Sequence, residues 1–302
     1  MTLTEAITTG RSRGTRRPKV DRRPMTFRRW IRKYLIGIIA ILVSIVVFLV
    51  PFAFVILQAA KDPREAGLVT FSLPTEWQLW ENFIAVVSAN DYNFVLALFN
   101  SVVLTVASVT IMVVFAAMVG YVLQRKRTKL NAYINFLVLA ALIVPPAVLP
   151  TIWVLQGVGL FKTLPGLILV EATFGLAFCI LLFRAFVATI PKELDEAAII
   201  DGAGPIRLFF GVVLPLLKPV IVTVIVVQAV NVFSNFQNPL YFLPGSDTPT
   251  VQLALYNYQS QTVSQFNLLF MYVLLVTIPP LIMYIFFNRQ IVAGMTSGAV
   301  KG

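Results

Sequence analysis

The chain of 302 residues contains no histidine and a single cysteine, Cys179. The missing histidine excludes His-containing metal sites and His-based catalytic triads. A lone cysteine within an apolar block forms no intrachain disulfide and reads as a small buried apolar residue. Charge is also scarce. Only 12% of residues are charged, against about a quarter in a soluble domain. There is no phosphate-binding loop. The nearest stretch, Gly157-Val158-Gly159-Leu160-Phe161-Lys162-Thr163, lacks the glycine before Lys162, so ATP hydrolysis is not expected on this chain. No fixed-period repeat is present, and no polar segment is long enough to fold as a second domain.

What the chain has instead is apolar sequence, 58% of all residues, gathered into long blocks nearly free of charge. A membrane-crossing helix needs about 20 mainly apolar residues. Six blocks qualify: Leu35–Gln58, Val95–Leu123, Ala132–Val154, Gly166–Phe186, Val220–Leu240 and Leu268–Phe287. Pro145, Pro146 and Pro150 predict a kink or break in the second half of the third. The first apolar stretch, Tyr34 to Ala60, far exceeds the roughly 7–15 residues of a signal-peptide core and reads as a retained span. The expected class is an all-α integral membrane protein with six transmembrane helices. It has three parts: a basic arm over 1–33 that reads as disordered, a six-span bundle over 34–288, and a tail over 289–302.

The net charge of +11 invites a nucleic-acid reading, but its distribution argues against one. Eleven basic residues lie between Arg11 and Lys33, directly before the first span. Such a cluster is a topology signal and a contact for anionic lipid headgroups. With the N-terminus inside, 21 basic residues fall on the inner side and three, Lys61, Arg64 and Lys162, on the outer. The expectation is therefore a cell-membrane protein with both termini in the cytoplasm.

The most informative polar segment is the loop 190–219. Pro191 suits the first position of a short helix, and Glu193, Asp195 and Glu196 favour its positive N-terminal end. Leu194, Ala197 and Ala198 form a small apolar stripe, and Gly202 is a natural stop. Pro205 opens a second short helix, with Phe209, Phe210 and Val213 as anchors to the bundle. A short rigid helix held off the membrane fits a groove on a partner.

The run Glu196-Ala197-Ala198, then Asp201-Gly202-Ala203, then Leu214-Pro215, resembles the EAA motif of ABC-importer permeases. In that family the loop is the coupling helix, which docks on a cytoplasmic ATPase. The resemblance implies a type I importer permease fold and makes Leu194, Glu196, Ala197, Ala198, Asp201 and Gly202 the docking residues. The C-terminus, Arg289 to Gly302, is similar to the glycine-rich tail of the smaller six-span subunit of maltose-type carbohydrate permeases. This implies a second ATPase contact at Gly294, Gly298, Lys301 and Gly302. Asn235 to Leu240 also looks like that family's segment near the end of span five, but lacks the usual tryptophan.

The implied partners are a second permease subunit, an ATPase dimer, an extracytoplasmic solute-binding protein, membrane lipid and a sugar substrate. No cofactor is called for. The implied mechanism is alternating access driven by ATP on the partner. Candidate residues for a sugar path are Asn231, Asn235, Gln237, Asn238 and Tyr241, with Glu171 as the one carboxylate inside a span. A permease for polyamine, phosphate or another solute is the nearest alternative. An ion-coupled transporter would be expected to carry several ionisable residues in its spans, and an intramembrane enzyme a paired catalytic set; neither pattern is present.

Overall fold

The computed structural model describes residues 27–245, 248–261 and 265–299. Most of the expected basic arm thus lies outside the described residues, as do Lys301 and Gly302 of the expected tail contact. The chain divides into two compact units, Met1–Phe52 and Ala53–Gly302. Every regular element among the described residues is helical.

Helix α1, Phe27–Ser44, passes through a wide π turn, Ile45–Leu49, into α2, Val50–Ala59. Within this stretch Gly37–Ala59 is long and apolar enough to cross a membrane. The short α3, Pro63–Gly67, follows, capped by the Asp62 side chain, which accepts from the Arg64 and Glu65 amides. Helix α4, Leu79–Arg125, is the longest and begins well before the expected start at Val95. It is broken at Ala89–Tyr92, where Asn90, Asp91 and Tyr92 all have positive φ.

Helices α5, Lys129–Ile143, and α6, Val148–Gly157, meet at a bend of 118°. The expected break in the third span is there, and its cause is local. Pro145 and Pro146 donate no backbone hydrogen bond and push Val144 out of the helical region, to ψ 123°. Helix α7, Leu164–Val187, spans without interruption. The loop helix α8, Glu193–Ile200, precedes α9, Pro205–Arg207, a second π turn, Leu208–Val213, and α10, Leu214–Leu216. A 74° bend then leads into α11, Lys218–Phe233. The fifth span was expected to continue to Leu240. Instead α11 stops at Phe233, and a separate α12, Gln237–Phe242, follows a break. Between the expected fifth and sixth spans lies α13, Val251–Gln261. Finally α14, Phe266–Ala299, carries the sixth span and continues as helix through Gly294 and Gly298. Among the described residues four helices are long and apolar enough to span alone, and the number rises to as many as six if each bent pair is one span.

The heart of the second unit is the packing of α4 on α7. Buried positions on α4, including Ala97, Ser101, Leu104, Ser108, Met112, Ala116, Gly120 and Leu123, recur every three or four residues and so form one face. The helices approach closely because the residues between them are small. A methyl group added at Gly120 would stand 2.9 Å from Phe183 Cβ and 3.0 Å from the Arg184 amide nitrogen. Elsewhere large apolar side chains such as Phe99 and Phe136 are exposed. This is the arrangement a lipid-facing surface requires.

Candidate functional site

The loop that follows α7 turns away from the bundle at the end where α4 finishes. Its helix α8 starts at Glu193 with Lys192 as the residue before it, so Pro191 sits two residues ahead of the helix rather than at its first position. Glu193, Asp195 and Glu196 occupy the first turn, as the macrodipole favours. The C-terminal end closes as the sequence anticipates. Gly202 takes φ +81°, its N–H donates to Ile199 O at 2.9 Å, and the Ala203 N–H donates to Ala198 O at 2.9 Å. These two bonds form a Schellman motif, which satisfies carbonyls that would otherwise be unpaired at the helix end. No atom lies within 4 Å of where a Gly202 side chain would begin. The glycine is therefore needed for its conformation and not for space.

One acid of α8 faces inward. Asp195 is buried, and its Oδ2 lies 2.7 Å from Arg125 Nε. The Tyr121 hydroxyl donates to the same oxygen at 3.4 Å, and Arg125 Nη2 donates to the Ile190 carbonyl at 3.0 Å. Arg125 is the last residue of α4. It thus clamps both the entry of the loop and its helix to the end of the bundle. Ala198 and Ala203 pack against the same core, while Phe209 and Val213 are buried beneath the loop. Phe209 packs at 5.8 Å from the Tyr121 ring. Of the expected anchors, Phe210 stays exposed.

The opposite face of the loop is open. Leu194, Glu196, Ala197, Asp201 and Gly202 are exposed, and Ala198 is half-buried. The stripe of Leu194, Ala197 and Ala198 is therefore divided, with the first two residues outward and the third inward. Two larger apolar residues join the open face: Ile200 is 85% exposed and Ile206 is 76% exposed. Neither was singled out from the sequence, although isoleucines in a polar loop that no core position claims are a readable signal. In the sequence, Asp195 stands out only as a dipole acid and Arg125 only as one of the basic residues assigned to the inner side.

The expected sugar-path residues fall into separate groups at the other end of the bundle. Glu171 is buried on α7, and Asn238 Nδ2 donates to its Oε1 at 3.0 Å. Asn235 sits in the break between α11 and α12 and accepts from the Asn238 amide at 3.1 Å. These three residues dock α12 onto α7. Asn231 donates to Gln228 Oε1, and Gln228 Nε2 reaches Gly175 O at 3.2 Å and Cys179 Sγ at 3.1 Å. That network crosses from α11 to α7. Gln237 and Tyr241 are exposed. Within the tail, Gly294 and Gly298 lie on α14.

Near the C-terminal end of α7, Arg184 donates through Nη1 to Asn135 of α5 and through Nε to Gln124 at 3.4 Å. Its guanidinium thus ties α7 to its neighbours.

The fold and the loop have close relatives. The chain is 30% identical to the melibiose/raffinose/stachyose import permease protein MelC of Bacillus subtilis (strain 168), over 67% of this chain and 75% of the relative. It is 30% identical to the diacetylchitobiose uptake system permease protein NgcG of Streptomyces coelicolor, over 85% of each. It superposes with a TM-score of 0.75, at 18% identity, on a chain of a bacterial ABC transporter involved in the import of the acidic polysaccharide alginate, covering 86% of this chain and 97% of that one. The family described as the binding-protein-dependent transport system inner membrane component matches residues 112–292, which include all of α8 and its clamp. The chain is a multi-pass membrane protein belonging to that family, a permease component of an ABC importer.

Proposed function

We propose that this permease carries a sugar or short oligosaccharide across the cell membrane, and that α8 is where ATP-driven movement enters it. The observation that carries the coupling role is the two-sided loop helix. Its inner face is clamped by Arg125 and Asp195. Its outer face presents Leu194, Ala197, Ile200 and Ile206 without a cover among the described residues. A rigid arm with an uncovered apolar face transmits a push and needs a grooved partner. The partner in this reading is a separate ATPase dimer on the cytoplasmic side, where the N-terminus and tail also lie. A second permease completes the path and a solute-binding protein delivers the cargo. The sugar assignment is supported by the relatives, whose names specify melibiose, raffinose, stachyose and diacetylchitobiose.

The test is purification of the tagged chain in mild detergent with mass spectrometry of what accompanies it, alongside sugar uptake in cells. An ATPase, a second permease and a binding protein should co-purify. Glu196→Lys and Ile200→Glu should leave membrane insertion intact, lose the ATPase and abolish uptake. Recovery of the chain alone, or uptake unchanged in both variants, would overturn the assignment.

A further inference from the structure

At the end of the bundle away from α8, the break in α4 opens onto a cavity of about 110 Å3. Asn90 and Asn93 line it from α4 together with Phe94, Asn257 and Tyr258 line it from α13, and Tyr272 lines it from α14. A single water needs roughly 10–15 Å3 of such space, so the cavity is larger than a water site. Two of its lining groups are unusual. Tyr272 is 3% exposed, yet its hydroxyl has no hydrogen-bond partner among the described residues, and the same holds for the buried Asn93 Oδ1. Buried polar atoms normally have partners, and each one without a partner costs the desolvation of that group.

The backbone is set at the same place. Asn90, Asp91 and Tyr92 are consecutive left-handed residues, with φ 49°, 54° and 61°. Asparagine and aspartate tolerate this conformation, but it is unfavourable for Tyr92, and such strain collects at ligand clamps. Its effect is to interrupt α4 between Val86 and Phe94, two residues packed in the same core cluster, and to set Asn90 and Asn93 at the cavity. The aromatic wall is ordered. Tyr272 meets Phe94 edge to face at 5.0 Å, and its ring lies 5.5 Å from that of Tyr258 at a tilt of 34°. Among the described residues, no charged side chain lines the cavity.

We infer that this cavity is a binding site for one ring of a neutral saccharide. Amide and hydroxyl groups without charge select a neutral ligand rich in hydroxyls, which donates to Asn93 Oδ1 and pairs with the Tyr272 hydroxyl once these side chains turn into the cavity. The aromatic wall suits the C–H face of a sugar ring, the remaining chemistry of such a ligand. The site is distinct from the Glu171 and Gln228 groups, whose hydrogen bonds are made within the chain. The inference rests on the reading that the cargo is a sugar and gives this subunit a direct part in binding it.

The full chain in lipid nanodiscs is tested with raffinose, maltotriose and trehalose as probes, by saturation transfer from protein to sugar protons. Wild type should bind at least one of the three. Asn93→Leu and Tyr272→Phe should each weaken that binding about tenfold, while Phe136→Leu, on the exposed apolar surface, should not change it. Tyr272→Phe keeps the ring and the packing, so a failure of Asn93→Leu to fold leaves the question decidable. Absence of transfer to all three sugars, or transfer that survives both substitutions, would overturn the site. Uptake of the same sugars is measured separately in cells. Binding without uptake would defeat the transport reading and leave the site standing, whereas uptake with no binding by this chain would do the reverse.

Discussion

Arg125 and Asp195 are 70 residues apart in sequence, and their side chains meet at 2.7 Å, both about nine-tenths buried. The pair joins the end of the longest helix to the first turn of the loop helix α8. A force on α8 therefore reaches α4 through a charged contact as well as through the peptide chain.

Removing one member of a buried pair leaves the other charge without compensation, at a cost of about 3 kcal/mol. Arg125→Ala should loosen α8 while the spans stay packed. Hydrogen exchange of the 193–200 amides should accelerate about a hundredfold relative to wild type, and uptake should fall with it. Unchanged protection of those amides would show that Phe209, Val213 and Ala198 hold the loop without the pair.

Gly202 separates conformation from size. Its φ of +81° is disfavoured for side-chain-bearing residues, and the space around it is open. Gly202→Val should destabilise the loop by about 1–2 kcal/mol. Gly202→Asn, a residue that tolerates the left-handed region, should retain most of the uptake. Equal loss in the two variants would mean that the outer face needs a bare backbone at 202 for docking.

Two glycines at the α4 and α7 contact should rank differently. At Gly120 the obstacles to a methyl group include the Arg184 amide nitrogen and the Ile180 carbonyl, whereas at Gly175 they are Met112 Sδ and Cε and Gln228 Nε2. Backbone cannot move aside as a flexible side chain can. Gly120→Ala should cost about 1–3 kcal/mol and Gly175→Ala less. Thermal unfolding of the purified variants in detergent checks the order, and the reverse order would refute this account of the packing.

Glu171 holds α12 through Asn238. Glu171→Gln keeps an acceptor oxygen and should preserve the dock. Glu171→Leu leaves the Asn238 amide without its acceptor, at about 1–3 kcal/mol, and should expose 237–242 to proteolysis. Equal resistance of both variants to protease would assign the docking to Pro239 and Phe242, which are buried on the same helix.

Much of this protein follows from sequence alone because the controlling interactions are local. Length and apolarity give the six spans, since a backbone in lipid must satisfy its own hydrogen bonds. The prolines at 145 and 146 give the broken third span, and Gly202 gives the end of α8, since each acts through its own φ and the neighbouring hydrogen bonds. Other features depend on residues far apart in the chain, and only the tertiary structure decided them. No local pattern pairs Arg125 with Asp195, buries Glu171 against Asn238, or turns Ala198 inward and Ile200 outward on one short helix. The break at Ala89–Tyr92 belongs here in part: Asn90 and Asp91 tolerate the left-handed region, but no local rule places Tyr92 there. Contacts on both sides impose that conformation, with Val86 and Phe94 packed into one cluster alongside Tyr272. Spans are written in the chemistry of a segment and its solvent, while the clamp, the dock and the cavity come from which segments meet.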